Sequence, residues 1–527
     1  MKICLIALSI LLAATSAYAR QILVPSEFSL IQTAIDSSLL GDTIIVADGH
    51  YFERVNFGSK AIVLASEFLM DSDTNHIINT VIDGDTSVTP IQDSASVIFV
   101  SDITGDTAII SGLTVQNGEG SILEVFSTFY NVGGGILCSK AAVKIQNCII
   151  RNNKSNNLGG GIFSFSSQVS ISKCTFSSNE SSNGGGLCVY GSGGSVIDSC
   201  LFVSNDASEG GGANISFGLV TLQNSKFSGN TALLGGGLVI IDNSSSIINC
   251  NFQDNQAFKG GGIYCFQGAD GDIINCEFYN NTASLQNSQQ AAGGAICCLA
   301  SSPLIRNCTM HQNYADSGGG IYVNNSALPE IENCIISSSK KGRAISCTPS
   351  LPLSVFCTDI FGNVGGDWVG CLLHKQLING NLAVDPQYCQ PNAPNLTLKS
   401  TSPCLAVNNS CAELIGANGL GCVVTDVNDA EDLLPYEYEL NQNYPNPFNP
   451  STMIEFALPK KNRIKVFVTN ILGQTVAVLL DEVKSAGHYK LEWHGRDDFG
   501  APSSSGVYFY TIKSEEFSAS KKMVLLK

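Results

Sequence analysis

A repeat with a period near 25 residues constrains this chain more than any other feature. The apolar residue closing each glycine run falls at Ile136, Ile162, Leu187, Ala213, Leu238, Ile263, Ile296, Ile321 and Ile345, in steps of 26, 25, 26, 25, 25, 33, 25 and 24. A second mark is a small residue at Cys148, Cys174, Cys200, Ser225, Cys250, Cys276, Cys308 and Cys334. Two residues later stands Ile150, Phe176, Phe202, Phe227, Phe252, Phe278, Met310 or Ile336, and an asparagine follows at Asn153, Asn179, Asn205, Asn230, Asn255, Asn281 and Asn313. Such a period defines a solenoid.

Helical repeats are excluded, because no 3.6 periodicity is present and triple glycines weaken helices. Ile263 and Cys265 share one face, as do Cys276 and Phe278, which is the alternation of strands. Ile273 and Cys276 are both apolar but an odd number apart, so a corner must lie between them. Asn275 occupies it, and asparagine tolerates the left-handed backbone a corner needs. Asn147, Asn224, Asn249, Asn307 and Asn333 occupy the same place in other units. Each unit is therefore a coil of about three short strands, stacked ~4.8 Å from its neighbours. Over residues 40 to 380 this predicts about 13 coils and a length of roughly 60 Å.

The chain holds 20 cysteines, and Cys4 lies in the N-terminal leader described below. Stacked side chains point in parallel with Cβ atoms ~4.8 Å apart, outside comfortable disulfide range. The ladder Cys148, Cys174, Cys200, Cys250, Cys276, Cys308 and Cys334 is therefore expected as buried thiols acting as small hydrophobes. Cys297 and Cys298 are adjacent, and Cys298 continues an inward column. Pairing is expected outside the repeat, among Cys389, Cys404, Cys411 and Cys422.

The N-terminus carries Lys2, an apolar run from Ile3 to Ala14, and the small-x-small sequence Ala17-Tyr18-Ala19 before Arg20. This predicts a signal peptide over residues 1–19, and no other stretch is long and apolar enough to span a bilayer. SLIQTAIDSSLL (29–40) predicts a short capping helix, with Ser29 and Gln32 at capping-box spacing and Ile31, Ala34, Ile35 and Leu39 on one face. Residues 20–422 then form the β-helix with its caps, the last of them at 381–422. The insertion near 283–292 is expected to be its most protruding loop. GDTIIVADGHY after a helix, followed by coils, resembles the right-handed parallel β-helix proteins of the pectin-lyase-like group. The GGGI and FxxN elements also resemble the repeats of chlamydial polymorphic outer-membrane proteins, without room for their membrane barrel.

Residues 423–440 form an acidic linker, and a new unit occupies 441–527. Six or seven alternating runs, from MIEFAL to KKMVLLK, predict a small Ig-like β-sandwich. YPNPFNPST, NILGQ, SSGVYFY and KKMVLLK, in that order, resemble the C-terminal sorting domain of type IX secretion. That resemblance implies Sec export, crossing of a Gram-negative outer membrane, and release or attachment to surface lipopolysaccharide.

Chemistry is sparse. Six histidines lack metal-ligand spacing, and His311 reads as a turn or surface residue. Asp198, Asp242, Asp270 and Asp272 are scattered rather than paired. Asp71, Asp73 and Asn75 begin a calcium-loop spacing, but His76 replaces the glycine and no glutamate closes it. No catalytic residue, metal or other cofactor is expected, with calcium at that loop the one candidate. A net charge of −17 argues against nucleic acid as a partner. The favoured reading is a non-enzymatic adhesin or glycan-binding rod at the cell surface or secreted. Its partners would be the type IX machinery and glycans or lipopolysaccharide. The alternative is a polysaccharide lyase or glycoside hydrolase on the same scaffold.

Overall fold

The inward side chains of successive coils meet like with like. In a computed structural model, which describes residues 19–85, 96–191, 193–284, 290–348, 351–391, 396–423, 438–498, 500–514 and 517–526, each full coil gives one short strand to each of three parallel sheets. The first sheet has 13 strands, from Gln21–Val24 to Ser354–Phe356. The second has 12, from Gly49–Tyr51 to Asp359–Phe361, and the third has 11, from Val55–Asn56 to Ile345–Ser346. A bridge from Asp359 to Leu382 begins a further turn, so the winding runs slightly past the expected coil number.

Register explains the columns. Phe176 pairs with Phe202 and Phe202 with Phe227, and the stack continues through Phe252 to Phe278 with ring centroids 4.5, 4.4, 4.8 and 5.0 Å apart. Those spacings are the strand separation of the sheet, so close aromatic stacking follows from pairing alone. Cys148, Cys174, Cys200, Ser225, Cys250, Cys276, Cys308 and Cys334 form a parallel buried column. The Cys174 thiol donates to the Ser172 carbonyl at 3.3 Å and to Ile145 of the preceding coil at 3.6 Å. Ser225 does the same with its hydroxyl, donating to Gln223 at 2.8 Å.

Left-handed residues make the corners. Asn147, Asn224, Asn249, Asn275, Asn307 and Asn333 have φ of 52, 51, 53, 54, 50 and 51°. A second bend follows each second-sheet strand from Thr114–Gln116 onward, at Asn152, Ser178, Ser204 and Asp254 among others. Beside it runs a buried asparagine ladder. Asn179 Oδ1 accepts from the Asn153 backbone N–H at 3.0 Å while its Nδ2 donates to the Ile150 carbonyl at 2.9 Å, and Asn205, Asn230 and Asn255 repeat the pattern. Each buried amide from Asn179 to Asn255 is thus satisfied by the coils on its two sides. The glycine runs have two reasons. Gly159 is left-handed (φ 66°), and a Cβ on Gly160 would collide with the carbonyls of Glu180 and Gly185 in the next coil.

Helix α1 (Ile31–Ser37) covers the first coil with Ile31, Ala34 and Ile35 buried. Its N-terminus corrects the capping box. Leu30 is the cap residue and Ser29 does not cap. The Glu53 carboxylate accepts from the N–H groups of Ile31 (2.9 Å) and Gln32 (3.0 Å) instead. A carboxylate suits the positive end of a helix better than a hydroxyl does. Leu39 lies outside the helix and is exposed.

At the other end, Trp368, Cys371 and Leu372 join the β-helix core. The segment after residue 381 does more than close the stack: it lies across the outward side of the second sheet. Gly416 donates to the Asn333 carbonyl at 2.7 Å, Ala417 to Thr309 Oγ1 at 2.9 Å, and Asn307 Nδ2 to the Leu414 carbonyl at 2.7 Å. Disulfides join Cys347–Cys371, Cys357–Cys411 and Cys389–Cys422. Cys404, grouped with the pairing candidates, is a buried thiol donating to Asp359 Oδ2 at 3.4 Å.

His311 is the clearest departure from expectation. It is 3% exposed, because the closing segment covers it: its ring hydrogen-bonds Ser337 Oγ (2.9 Å) and the Pro391 carbonyl (3.0 Å) and packs edge-on to Tyr388. Residues 1–18, including Ala17, most of the linker, and residues 285–289 of the 283–292 insertion lie outside the described residues. Ala19 and Arg20 precede the first strand, with Arg20 bonded to Asp42 at 3.3 Å.

The C-terminal unit is antiparallel. One sheet comprises Glu439–Leu440, Thr452–Leu458 and Gly487–Trp493, the other Thr475–Lys484, Asn462–Asn470, Gly506–Lys513 and Ser518–Leu525. Phe456, Val466, Val468, Tyr510, Ile512 and Met523 pack between them.

Candidate functional site

Third-sheet strands alternate like the others, but many of their outward positions are also apolar. In Ile162–Phe165, Ile162 joins the main core while Phe163 and Phe165 face away from it. They are covered by a hairpin, Ser121–Val125 paired with Thr128–Val132, whose Val125 and Val132 pack on Leu137, Phe163, Phe165 and Cys188. SILEV and TFYNV, two alternating runs separated by two residues, are a hairpin signal that the glycine marks of the repeat obscured. The turn residues Phe126 and Ser127 have φ of 48 and 63°, the geometry a two-residue hairpin turn needs.

Beyond the hairpin tip a row of rings crosses the coils. Phe126 lies 6.1 Å from Phe165 and 6.0 Å from Tyr190, Phe165 lies 6.3 Å from Tyr190, and Tyr190 lies 5.1 Å from Phe217. Phe126 is 76% exposed and Phe217 is 50% exposed. Between hairpin and sheet is a cavity of about 330 Å³, lined by Phe126 and Tyr190 of this row together with Val125, Thr128, Tyr130, Asn157, Leu158 and Asn183; Phe165 and Phe217 are outside the lining. None of its lining residues carries a carboxylate, imidazole, ammonium or guanidinium group.

The polar groups of the cavity are partly engaged. Asn157 Oδ1 accepts from the Asn131 N–H at 2.9 Å, and Asn183 Nδ2 donates to Glu209 Oε2 at 3.1 Å. The Asn157 amide N–H groups and Asn183 Oδ1 have no protein partner among the described residues and can serve a ligand. Burial holds the Glu209 carboxyl and the Tyr190 phenol above their ordinary values.

The residues singled out from sequence lie elsewhere. The cysteine ladder and the corner asparagines are architecture, on the first and second sheets and at the bend between them. Asp71 and Asp73 accept backbone N–H groups of Asp73 (2.8 Å) and Asn75 (2.9 Å). His76 sits between Asp48 (2.6 Å) and Asp71 (3.2 Å), and the Asp48 hydrogen bond raises its pKa. Glu67 lies near enough for Asp48, Glu67 and His76 to present three donor atoms within 4.8 Å of one another. Among the described residues no helix is long and apolar enough to cross a membrane.

Three parallel sheets wound in register from one chain define the class. The chain belongs to the family of right handed beta helix regions, which residues 68–231, 165–286 and 212–372 match, together more than half of its length. Residues 442–526 match the secretion system C-terminal sorting domain, which the type IX machinery handles. No curated protein matches the chain significantly. Among solved structures it is similar to a pectin methylesterase from Aspergillus niger, at 15% identity and a TM-score of 0.27 over 61% of this chain and 90% of that one. It is also similar to the Siphovirus 9NA tailspike receptor binding domain (10%, 0.22, over 97% and 99%) and to the receptor-binding protein of bacteriophage Det7 (10%, 0.18, over 96% and 98%). No functional assignment rests on likenesses this distant.

Proposed function

We propose that this is a non-enzymatic glycan-binding protein, delivered to the surface or surroundings of a Gram-negative bacterium by the type IX machinery. The sorting domain supports the delivery. The observation that carries the binding is the row Phe126, Phe165, Tyr190 and Phe217, with its outer rings left open to solvent. Sugar rings have apolar faces that stack on aromatic side chains and hydroxyls that pair with amides, and the cavity offers both. Hydrolysis by the usual route would need a pair of carboxyl groups at the bound bond, and the lining has no carboxyl; its titratable groups are the phenols of Tyr130 and Tyr190, and burial raises that of Tyr190 above its ordinary value.

The test is twofold. Fractionation of cells expressing the full chain and a form lacking residues 442–526 should place only the former outside the outer membrane. The purified full chain should retain a subset of a glycan array without releasing reducing ends or unsaturated products. Turnover of a bound glycan would defeat the non-enzymatic reading, and an array with no retained glycan would defeat the binding.

A further inference from the structure

The geometry points to an uncharged polysaccharide as the occupant of this groove, with Phe126 and Phe217 as the outer stacking positions on either side of Tyr190. This inference rests on the glycan-binding reading above and narrows it.

Backbone conformation marks the two phenylalanines. The corner after each third-sheet strand from Ile98–Ser101 to Ile321–Asn324 is left-handed, and it is filled by Asp102, Lys140, Ser166, Gly191, Asp242, Gln267, Ala300 and Asn325 in other coils. None of these carries a bulky apolar side chain, as expected where a large residue is strained. Phe217 alone among the described corners of this column is aromatic, with φ of 56° and half its surface exposed. Phe126 repeats the anomaly on the other side of the groove, with φ of 48° in a turn where asparagine or glycine would be relaxed. Neither side chain fills the core. Strain that folding does not require, held at two exposed rings that both approach Tyr190, is the kind that persists where a ligand uses it.

Charge decides the ligand class. The lining is neutral, and the nearest acid tied to it is Glu209, bonded to Asn183. Lys154, in the loop that leads to the groove, is paired with Glu180 at 2.6 Å. The whole chain carries −17. A polyuronate would bring carboxylates to a lining that holds no cation, beside a partly buried carboxyl; the one basic corner of this column, Lys140, lies outside that lining. Like charges brought together out of water oppose binding. A neutral chain meets no such penalty, and its hydroxyls match the Asn157 N–H groups and Asn183 Oδ1.

Isothermal titration of the full chain against neutral glucan and mannan oligosaccharides, and against galacturonate and alginate oligosaccharides, tests this. At least one neutral oligosaccharide should bind about tenfold or more tighter than either uronate, since one lost contact of about 1.4 kcal/mol is tenfold. Phe217→Asn and Phe126→Asn should each weaken binding by about tenfold while leaving Tm unchanged or higher, because asparagine relieves the left-handed strain. Uronates bound as tightly as neutral chains would overturn the assignment and leave glycan binding standing. Binding unchanged in both variants would overturn the stacking row, and no sugar bound by the folded chain would overturn both readings.

Discussion

The coils between Ile136 and Asn324 and the closing segment after residue 381 belong to one unit, yet they are held together by opposite means. In the coils, each residue rests on its own kind in the next turn, and cohesion comes from stacked phenylalanines, thiols and asparagine amides. Here the cysteines stay free and buried. The closing segment has no repeat beneath it. It is pinned by disulfides and by single contacts such as Gly416 to Asn333. A ladder supplies nearest-neighbour interactions to every turn, whereas an irregular strap needs covalent closure to limit its unfolded entropy. An exported protein can carry both, since oxidation reaches only thiols placed to pair.

The largest break in this contrast should come from the ladder. Phe227→Ala removes a ring stacked on both sides and should destabilise the β-helix by about 3–5 kcal/mol in chemical denaturation. A loss below about 1 kcal/mol, the order of a single net hydrogen bond, would show that the columns are decoration.

The strap should fail differently. Replacing Cys389 and Cys422 by alanine opens a 33-residue separation and should cost about 3 kcal/mol. The damage should stay local, so limited proteolysis should cut within 381–422 while the coils survive. Thiol titration of the native wild type should find almost no reactive cysteine. The unfolded, unreduced protein should also expose the 13 that are free among the described residues. Reactive native thiols in the Cys148–Cys334 column would contradict the burial.

Acidity should separate the two regions more finely. Burial lifts Asp359 to about 7 from 3.8, so its contribution is full below the ordinary carboxyl value and is lost as pH rises through 7. Burial lowers His311 to about 4 from 6.5, so its contribution is full above 6.5 and is lost as pH falls through 4. Between pH 4 and 6.5 the two slopes oppose each other, and both groups lie under the strap. His311→Gln should leave strap stability falling steadily from pH 4 to 7, by up to about 1.4 kcal/mol per pH unit. Asp359→Asn should leave it less sensitive above pH 6.5 and weaker in acid. Hydrogen exchange of residues 396–422 across that range reads both, and identical profiles for the variants and wild type would remove the strap as their partner.

The smallest effect should be Ser225→Cys, which completes the thiol column. The hydroxyl accepts from Cys200 N–H at 3.0 Å and donates to Gln223, and the donor role is one a thiol fills in the adjacent coil, where Cys200 donates to the Asp198 carbonyl at 3.3 Å. A change under about 1 kcal/mol in denaturation is expected. A larger loss would mean that the serine interrupts the column for a reason the stacking does not contain.

The amino-acid sequence by itself determined the winding. A residue that must rest on its own copy repeats at the coil length, so Phe176, Phe202 and Phe227 announce a column before any coordinate is known. Asn275 announces a corner because an odd separation between inward residues requires one. The order of YPNPFNPST, NILGQ and KKMVLLK likewise sufficed for the sorting domain. Only the tertiary structure decided the contacts that do not repeat. Glu53 caps a helix 22 residues away, His311 is buried by a carbonyl 80 residues on, and Cys357 finds Cys411 rather than a nearer neighbour. The groove is of the same kind. Its hairpin runs directly into the first glycine run and has no copy in the other coils, and Phe126 and Tyr190 meet only once the chain has wound back past itself. Periodicity encodes what a residue does with its own copy, and it is silent about contacts between unlike residues made once.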